Sequence, residues 1–224
     1  MNYSRITIFA GHYGSGKTNI AVNYALLLRQ SHKKVMIADL DIVNPYFRTK
    51  DSEQTLRKFG IKLISSDYAN SNLDVPAVPG EINAIFDDLE SYAVIDVGGD
   101  DRGACALGRY FEKLHTNDVA AFFVINMYRP LSREAGATIE IMREIEFAGR
   151  IKFTGIINNS NLGIDTTASD IINSLPYAEE VSQKTQLPVV MTSVKRNLAV
   201  GLETYSNNLF PIDLEEYQWQ KLPN

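Results

Sequence analysis

The sequence contains almost no cysteine and no long apolar run. Only one of its 224 residues is cysteine, so the chain cannot form a disulfide within itself. A structural zinc site usually needs several cysteine or histidine ligands, and a lone cysteine does not supply them. No apolar stretch is long enough to span a membrane, and the opening residues MNYSRITIFAG have too short an apolar run for a signal peptide. We therefore expect a soluble, cytoplasmic protein.

Positive charge is also in deficit. The chain has 22 Lys+Arg against 27 Asp+Glu, which gives a formal net charge of -5. Such a chain has no overall positive field to attract nucleic acid or anionic lipid. The last residues, LFPIDLEEYQWQKLPN, are acidic and contain prolines, unlike a basic membrane-binding helix. We expect no nucleic-acid partner and no membrane partner.

The rest of the composition is that of a globular domain, with 45% hydrophobic and 22% charged residues. One domain over residues 1–224 fits this length. Short apolar runs alternate with amphipathic stretches, and this alternation predicts an α/β fold with a doubly wound, mostly parallel sheet. The predicted strands are 5–10, 34–39, 61–64, 92–97, 119–126, 152–159 and 188–191. The predicted helices are 17–30, 81–89, 132–147 and one that follows Thr167, and 70–80 is a predicted loop.

Helix boundaries are indicated at two places. Ser132 is the expected N-cap of the helix at 132–147. Thr167 and Asp170 fit a capping box at the start of the next helix, which Pro176 is expected to interrupt.

A phosphate-binding loop is the strongest motif in the sequence. Residues 11–18 read GHYGSGKT, which matches G-x-x-x-x-G-K-[ST] between a predicted strand and a predicted helix. In this motif the backbone N–H groups and the helix N-terminus surround phosphate oxygens. Lys17 is expected to reach the β- and γ-phosphates, and the Thr18 hydroxyl to bind Mg²⁺. The predicted nucleotide-binding residues here are Gly11, His12, Tyr13, Gly14, Ser15, Gly16, Lys17, Thr18 and Asn19.

Acidic residues end two further predicted strands. Asp39 and Asp41 follow one strand, and Asp96 lies near the end of the apolar run YAVIDV. Carboxyl ends of parallel strands meet at one edge of a sheet, so these carboxylates should lie beside the phosphate loop. Asp96 fits the Walker B position, where a carboxylate holds Mg²⁺ directly or through water. Gly99 follows it and is expected to bring a backbone N–H close to the γ-phosphate.

The base is predicted to be adenine. Guanine-specific phosphate-loop proteins usually carry an N/T-K-x-D sequence, whose aspartate pairs with guanine. The corresponding strand end here reads GIINNSNL, without a lysine or an aspartate at the required offset. ATP is therefore favoured over GTP as the nucleotide.

The sequence resembles the MinD/ParA/CobQ family of P-loop ATPases, which includes the nitrogenase iron protein. Four features carry the resemblance: the phosphate loop, the D-L-D sequence ending at Asp41, the Asp96 strand with its glycines, and the strand that ends in asparagine. The resemblance covers most of the chain and implies a three-layer α/β/α fold. It implies that Asp41 polarises the attacking water and belongs with Thr18 and Asp96 to the metal site. It also implies that Asn159, or Asn158 in the other register, contacts adenine.

The sequence departs from this family in two places. The family usually has a signature lysine directly after the first glycine of the loop, and it contacts the partner subunit's phosphates across a nucleotide-dependent homodimer. His12 occupies that place and is either a protonated substitute or a solvent-facing loop residue. The iron protein holds an iron–sulfur cluster with two cysteines per chain. A single Cys105 is too few, so we expect a small buried side chain and no cluster.

These observations predict a Mg²⁺-dependent ATP-binding protein, with slow ATPase activity that switches its interaction with an unidentified client protein. Lys17 and Asp41 are the expected catalytic residues. The alternative is a small-molecule kinase or dethiobiotin-synthetase-like ligase, whose acceptor pocket would be built from 44–50, 67–72 and 128–133. A third possibility is a scaffold that binds ATP and barely hydrolyses it.

Overall fold

The computed structural model describes residues 3–32, 34–41, 49–65, 80–99 and 101–213. All described strands form one eight-stranded sheet, in the order β3-β2-β4-β1-β5-β6-β7-β8, and every neighbouring pair is parallel. The strands are β1 (Ile6–Ala10), β2 (Val35–Leu40), β3 (Lys62–Ile64), β4 (Tyr92–Val97), β5 (Val119–Ile125), β6 (Gly155–Asn158), β7 (Val189–Lys195) and β8 (Leu209–Ile212).

Seven α-helices occur in the described part of the chain. They are α1 (Lys17–Ser31), α2 (Glu53–Lys58), α3 (Asn83–Asp87), α4 (Asp101–Gly108), α5 (Phe111–His115), α6 (Ala135–Gly149) and α7 (Ala168–Thr185). None of the helices among the described residues is long and apolar enough to cross a bilayer.

The sheet is covered by helices on both faces, which gives the predicted doubly wound, three-layer arrangement. Successive side chains of a strand point to opposite faces, and β1 shows this clearly. Ile6 and Ile8 belong to the core shared with α6 and α7, whereas Phe9 belongs to the core shared with α1 and α2. A strand buried on both faces has no polar alternation, which explains the continuous apolar runs in the sequence.

The strand predictions are confirmed, apart from their ends. The structure places β4 at the predicted residues 92–97 and puts β5 near the middle of the sheet. It extends the last predicted strand to Val189–Lys195 and adds β8, which contains Pro211. Proline is tolerated there because β8 is an edge strand, with one side free of ladder hydrogen bonds. Of the predicted loop at 70–80, only Gly80 lies within the described residues.

Two predictions about helix ends are wrong. Helix α6 begins at Ala135 with Glu134 at the N-cap, and Ser132 lies in the preceding 3₁₀ turn Pro130–Ser132. Ser132 does not cap the helix because the 3₁₀ turn places it ahead of the N-cap position, and its buried hydroxyl donates to the Asn126 carbonyl at 2.7 Å. Pro176 lies inside α7 without ending it.

Helix α7 tolerates Pro176 because burial outweighs one lost helical hydrogen bond. Tyr177, Ala178 and Val181 follow the proline and are buried in the core. The Tyr177 hydroxyl also donates to the Ser132 carbonyl at 2.9 Å. The predicted capping box is confirmed, since the Thr167 side chain accepts from the Asp170 N–H and the Thr167 N–H donates to Asp170 Oδ2 at 2.8 Å.

Candidate functional site

The carboxyl edge of the sheet brings the predicted site residues together. The loop after β1 lies where neighbouring connections leave in opposite directions, because β1 is flanked by β4 and β5. In open parallel sheets this is the usual position of a ligand crevice. Gly14 and Gly16 adopt left-handed backbone conformations, with φ of 75° and 82°, and Gly16 is the N-cap of α1. The loop therefore turns its backbone into the helix N-terminus as the motif requires.

Lys17 and Asp41 form a buried ion pair in this crevice. The Lys17 Nζ lies 3.5 Å from Asp41 Oδ2, and only 3–4% of either side chain is exposed. The Asp41 backbone N–H donates to Asp39 Oδ1 at 3.0 Å, so Asp39 supports the end of β2. The phosphate-loop lysine thus has an anionic partner at the place predicted to receive phosphate.

Asp96 is fully buried and accepts two hydroxyl hydrogen bonds on one oxygen. Thr18 Oγ1 donates to Asp96 Oδ2 at 2.7 Å and Thr49 Oγ1 donates to the same atom at 2.8 Å. Burial raises the pKa of Asp96 to about 6, and the nearby Asp41 charge adds to that rise, whereas Lys17 and the two hydroxyls oppose it. The carboxylate therefore lies in surroundings that disfavour its charge unless a cation is close.

The donor set fits a magnesium ion. The other oxygen of Asp96, Oδ1, is buried and has no hydrogen-bond partner among the described residues. Mg²⁺ prefers oxygen ligands and is usually held by one or two carboxylates together with phosphate oxygens and water. Thr18, Asp41 and Asp96 provide such oxygens in one crevice. Within the described ranges no group of three or more His, Cys, Asp or Glu side chains has metal-binding geometry, so phosphate and water would complete the shell.

The glycines after β4 pack against the phosphate loop. A Cβ on Gly99 would lie 2.6 Å from the Tyr13 backbone nitrogen, and one on Gly98 would lie 3.1 Å from Asp41 Oδ1. A Cβ at Gly99 would overlap the loop backbone and one at Gly98 would press on Asp41, so the loop and the ends of β2 and β4 are in close contact here. The predicted contact of the Gly99 N–H with a γ-phosphate stays a prediction.

Asn159 supports the phosphate loop from behind. It is 1% exposed, and its Nδ2 donates to the Ser15 carbonyl at 2.6 Å. Its Oδ1 accepts hydrogen bonds from the Ser193 hydroxyl and from Asn161 Nδ2. The alternative, Asn158, donates to the Ser174 hydroxyl of α7 at 2.9 Å. The adenine contact of Asn159 stays a prediction, whereas its hydrogen bond to the loop is visible.

His12 is half-buried rather than fully solvent-facing. Its pKa is lowered, mainly by desolvation and also by the charge of Lys17, so the imidazole is neutral at neutral pH in this structure. The role of His12 as a protonated substitute for a lysine beside bound phosphate stays a prediction. Tyr13 is 53% exposed, and Asn19 lies in the first turn of α1, where its carbonyl accepts from Asn23 Nδ2.

Two further residues, Thr49 and Arg129, contact the site, and the sequence did not predict these contacts. Thr49 follows the segment after Asp41, and no motif pointed to its hydroxyl. Arg129 was assigned to an acceptor pocket, but its Nε donates to the Gly14 carbonyl at 2.8 Å. Its position directly after β5, at the same edge as the phosphate loop, is the signal that could have identified it.

The expected acceptor pocket falls largely outside the described residues, which omit 42–48 and 66–79. Among its remaining residues, Thr49 of the segment 44–50 donates to Asp96, Arg129 and Ser132 have the bonds already given, and the Tyr128 hydroxyl donates to the Asp170 carbonyl at 2.8 Å. Cys105 is exposed on α4, which corrects the expectation that it is buried. Only part of α4 faces the core, through Ala104 and Leu107, and Cys105 points away from them.

A cavity of about 820 Å³ lies elsewhere, at the amino ends of β5 and β6. Its lining includes Phe111, His115, Arg143 and Phe147, and none of the predicted site residues. The crevice at the carboxyl edge is therefore identified by its chemistry and not by cavity size.

Comparisons with known proteins agree with this geometry. The family model of the CobQ/CobB/MinD/ParA nucleotide binding domain matches residues 6–186. A comparison with curated proteins finds no match for the chain. Solved structures that are similar include FtsY from Mycoplasma mycoides, with TM-score 0.57 and 16% identity over 86% of this chain and 60% of that one.

Two other structures give the same result. Chloroplast FtsY from Physcomitrella patens has TM-score 0.59 and 16% identity, over 86% of this chain and 59% of that one. The cell division protein FtsY from Thermotoga maritima has TM-score 0.52 and 16% identity, over 84% of this chain and 61% of that one. The chain therefore spans about three-fifths of the length of these proteins, and at such identity the likeness shows the fold alone.

Proposed function

This chain belongs to the CobQ/CobB/MinD/ParA nucleotide binding domain family, and from that premise we propose that it binds ATP with Mg²⁺ and hydrolyses it slowly as a switch on a partner protein. One observation carries the proposal. Four buried side chains converge at the end of the phosphate loop. Lys17 forms an ion pair with Asp41, and Thr18 donates a hydrogen bond to Asp96.

Phosphate binding follows from Lys17 and the loop. The β- and γ-phosphates of ATP would replace the Asp41 carboxylate as the partner of the Lys17 ammonium group, and the loop N–H groups would surround them. Because Lys17 is already buried and fixed by Asp41, little conformational freedom is lost when phosphate binds. Nucleotide binding thereby releases Asp41 from its ion pair.

Hydrolysis follows from that release. Once Lys17 pairs with phosphate, Asp41 would accept a hydrogen bond from a water and orient it toward the γ-phosphorus. The new bond from the water oxygen would form as the bond to the β–γ bridging oxygen breaks and ADP leaves. Thr18 and Asp96 would hold Mg²⁺, which supplies charge neutralisation on the β- and γ-phosphate oxygens.

ATP is proposed as the nucleotide because the loop after β6 lacks the lysine and aspartate of the usual guanine-binding sequence. The base would lie beside the loop that follows β6, where Asn159 accepts a hydrogen bond from the Ser193 hydroxyl of β7. The partner is proposed to be a client protein or a second copy of the chain. Tyr13, exposed on the phosphate loop itself, would report the nucleotide state to such a partner.

The test measures ATP consumption and assembly in the same preparation. Phosphate release to water should occur with ATP alone, and GTP should compete weakly for binding. Light scattering should show a different mass, or a client a different affinity, with ADP and with a slowly hydrolysed ATP analogue. ATP consumption only after an acceptor is added would indicate a kinase or ligase, and tight binding without turnover would indicate a scaffold.

A further inference from the structure

Thr49 stands in the same relation to Asp96 as Thr18 does. Both hydroxyls donate to Asp96 Oδ2, at 2.8 Å from Thr49 and 2.7 Å from Thr18. Both threonines are buried, and Thr49 is fully inaccessible to solvent. Thr18 lies on α1, whereas Thr49 begins the 3₁₀ turn Thr49–Ser52 that precedes α2. Two separate parts of the chain thus place equivalent oxygens on one atom of the carboxylate.

The oxygen of each threonine remains available to a metal. A hydroxyl that donates its proton to a carboxylate keeps lone pairs with which it can bind a cation. Mg²⁺ accepts only oxygen ligands in a compact octahedral shell, so a ligand must lie near the others. Thr49 satisfies this condition because it shares its acceptor atom with Thr18, the residue that the loop motif assigns to Mg²⁺.

We propose that the Thr49 hydroxyl is a further protein ligand of the Mg²⁺ ion that accompanies the nucleotide. This inference rests on the proposed function, since it needs the metal to bind with ATP at this loop. Its consequence is a mechanical link, because a metal held by Thr18 and Thr49 joins α1 to the turn Thr49–Ser52. Without the metal the two threonines stay connected through Asp96 Oδ2 alone, so metal binding strengthens an existing connection between α1 and this turn.

The competing role for Thr49 is purely structural, in which its hydroxyl only satisfies a buried carboxylate. The two roles differ in metal preference. A cysteine at a ligand position binds Mg²⁺ poorly and a softer ion such as Cd²⁺ well, since thiolate prefers soft metals. A cysteine that acts only as a hydrogen-bond donor gives no such exchange. Cys105 is the one native cysteine, and it is exposed, so the variants are made in a Cys105→Ser background.

The experiment measures the apparent affinity for each metal by equilibrium binding of a fluorescent, slowly hydrolysed ATP analogue. We expect Thr49→Val to weaken the apparent affinity for Mg²⁺ by about 10- to 100-fold without changing analogue binding in EDTA. Thr49→Ser should retain the Mg²⁺ affinity of the parent. Thr49→Cys should lose affinity in Mg²⁺ and recover it in Cd²⁺. Thr138→Val is the matched control, because it removes another buried threonine hydroxyl, one bonded to the Glu134 carbonyl at 3.0 Å, and it should leave both metals unchanged.

Two results would overturn the proposal: Mg²⁺ affinity in Thr49→Val equal to the parent, or loss in Thr49→Cys that Cd²⁺ does not reverse. If Thr49→Val does not fold, Thr49→Ser and Thr49→Cys decide the question by themselves. If the parent protein binds the analogue in a metal-dependent way and Thr49→Val has the same Mg²⁺ affinity, this inference is wrong and the proposed function is unaffected. Absence of analogue binding in the parent with any metal removes both.

Discussion

Lys17 and Asp41 are held together, with the ammonium nitrogen 3.5 Å from a carboxylate oxygen and both side chains almost fully buried. Phosphate and the Asp41 carboxylate compete for the same Lys17 ammonium group, since one cation cannot serve both partners fully. A buried pair broken by removal of one partner leaves an uncompensated charge. The substitution of either residue should therefore affect binding and hydrolysis differently.

Asp41→Asn should separate these two effects. The neutral amide no longer competes for Lys17, so ATP affinity should stay equal or rise slightly. The rate of phosphate release should fall by about 100-fold or more, because the group that orients the nucleophile is lost. The measurement pairs equilibrium binding of the ATP analogue with steady-state phosphate release. A variant that hydrolyses ATP at the wild-type rate would contradict the assigned role of Asp41.

Asp96→Asn should change the pH dependence of stability in the nucleotide-free protein. The pKa of Asp96 is about 6 in the folded protein against an ordinary value of 3.8, so the folded state binds more protons between these values. The free energy of unfolding must then fall as pH rises from about 4 to about 6, by an amount on the order of 3 kcal/mol, and stay low above it. Asp96→Asn removes this component.

Denaturant unfolding in EDTA from pH 4 to pH 8 provides the check. The stability difference between Asp96→Asn and wild type should shift in favour of the variant as pH rises through that window. Taking the difference cancels the titration of other carboxylates, whose contributions are common to both proteins. Parallel curves for the two proteins would show that Asp96 does not carry a raised pKa. The same variant should lose the Mg²⁺ dependence of nucleotide binding.

Gly16→Ala should disrupt the loop far more than a comparable substitution elsewhere. Gly16 has φ of 82°, and a Cβ there would lie 2.3 Å from Asn159 Nδ2. Gly163 has φ of 67° with no atom within 4 Å of a Cβ, so it tests the backbone conformation alone. Gly163→Ala should cost about 1–2 kcal/mol, whereas Gly16→Ala should cost more and also abolish nucleotide binding.

Thermal unfolding and analogue binding of both glycine variants measure this difference. If Gly16→Ala is destabilised no more than Gly163→Ala and binds the analogue as wild type does, the contact between the loop and Asn159 is unimportant.

Asn159→Ala should weaken the phosphate loop itself. It removes the donor to the Ser15 carbonyl, a buried acceptor that then lacks its partner, which costs about 1–3 kcal/mol. Binding of ATP and of inorganic triphosphate should both weaken, since the loop holds phosphate in each. Competition titrations compare the two ligands. Unchanged triphosphate binding would contradict the loop role, and an additional loss for ATP alone would locate a contact with the base.

The sequence predicted the phosphate loop, its flanking strand and helix, and the Asp96 strand, because each depends on local pattern. A loop with fixed glycines and an apolar run with a terminal carboxylate need no knowledge of distant contacts. Thr49 was not predicted, since its contact with Asp96 arises only when residues far apart in the chain meet. Asn159 was predicted as a site residue, but its hydrogen bond to Ser15, which lies 144 residues earlier, was not.

Local rules also gave wrong answers where tertiary contacts outweigh them. Pro176 should end a helix by backbone geometry, yet α7 continues because Tyr177, Ala178 and Val181 are buried. Ser132 has the residue type of an N-cap, but it lies in the 3₁₀ turn that precedes α6, where its hydroxyl donates to the Asn126 carbonyl. Cys105 belongs to a residue type that is usually buried, and it occupies the outward face of α4.

Isothermal titration of ATP with Mg²⁺ into wild type and into Lys17→Ala tests the central claim most directly. Lys17 is the one described side chain whose ammonium group lies at the loop that the motif assigns to phosphate. We predict one ATP bound per chain for wild type and an affinity at least about 100-fold lower for Lys17→Ala, equivalent to about 3 kcal/mol, with circular dichroism confirming that the variant is folded. Equal ATP affinity in the two proteins would contradict the account.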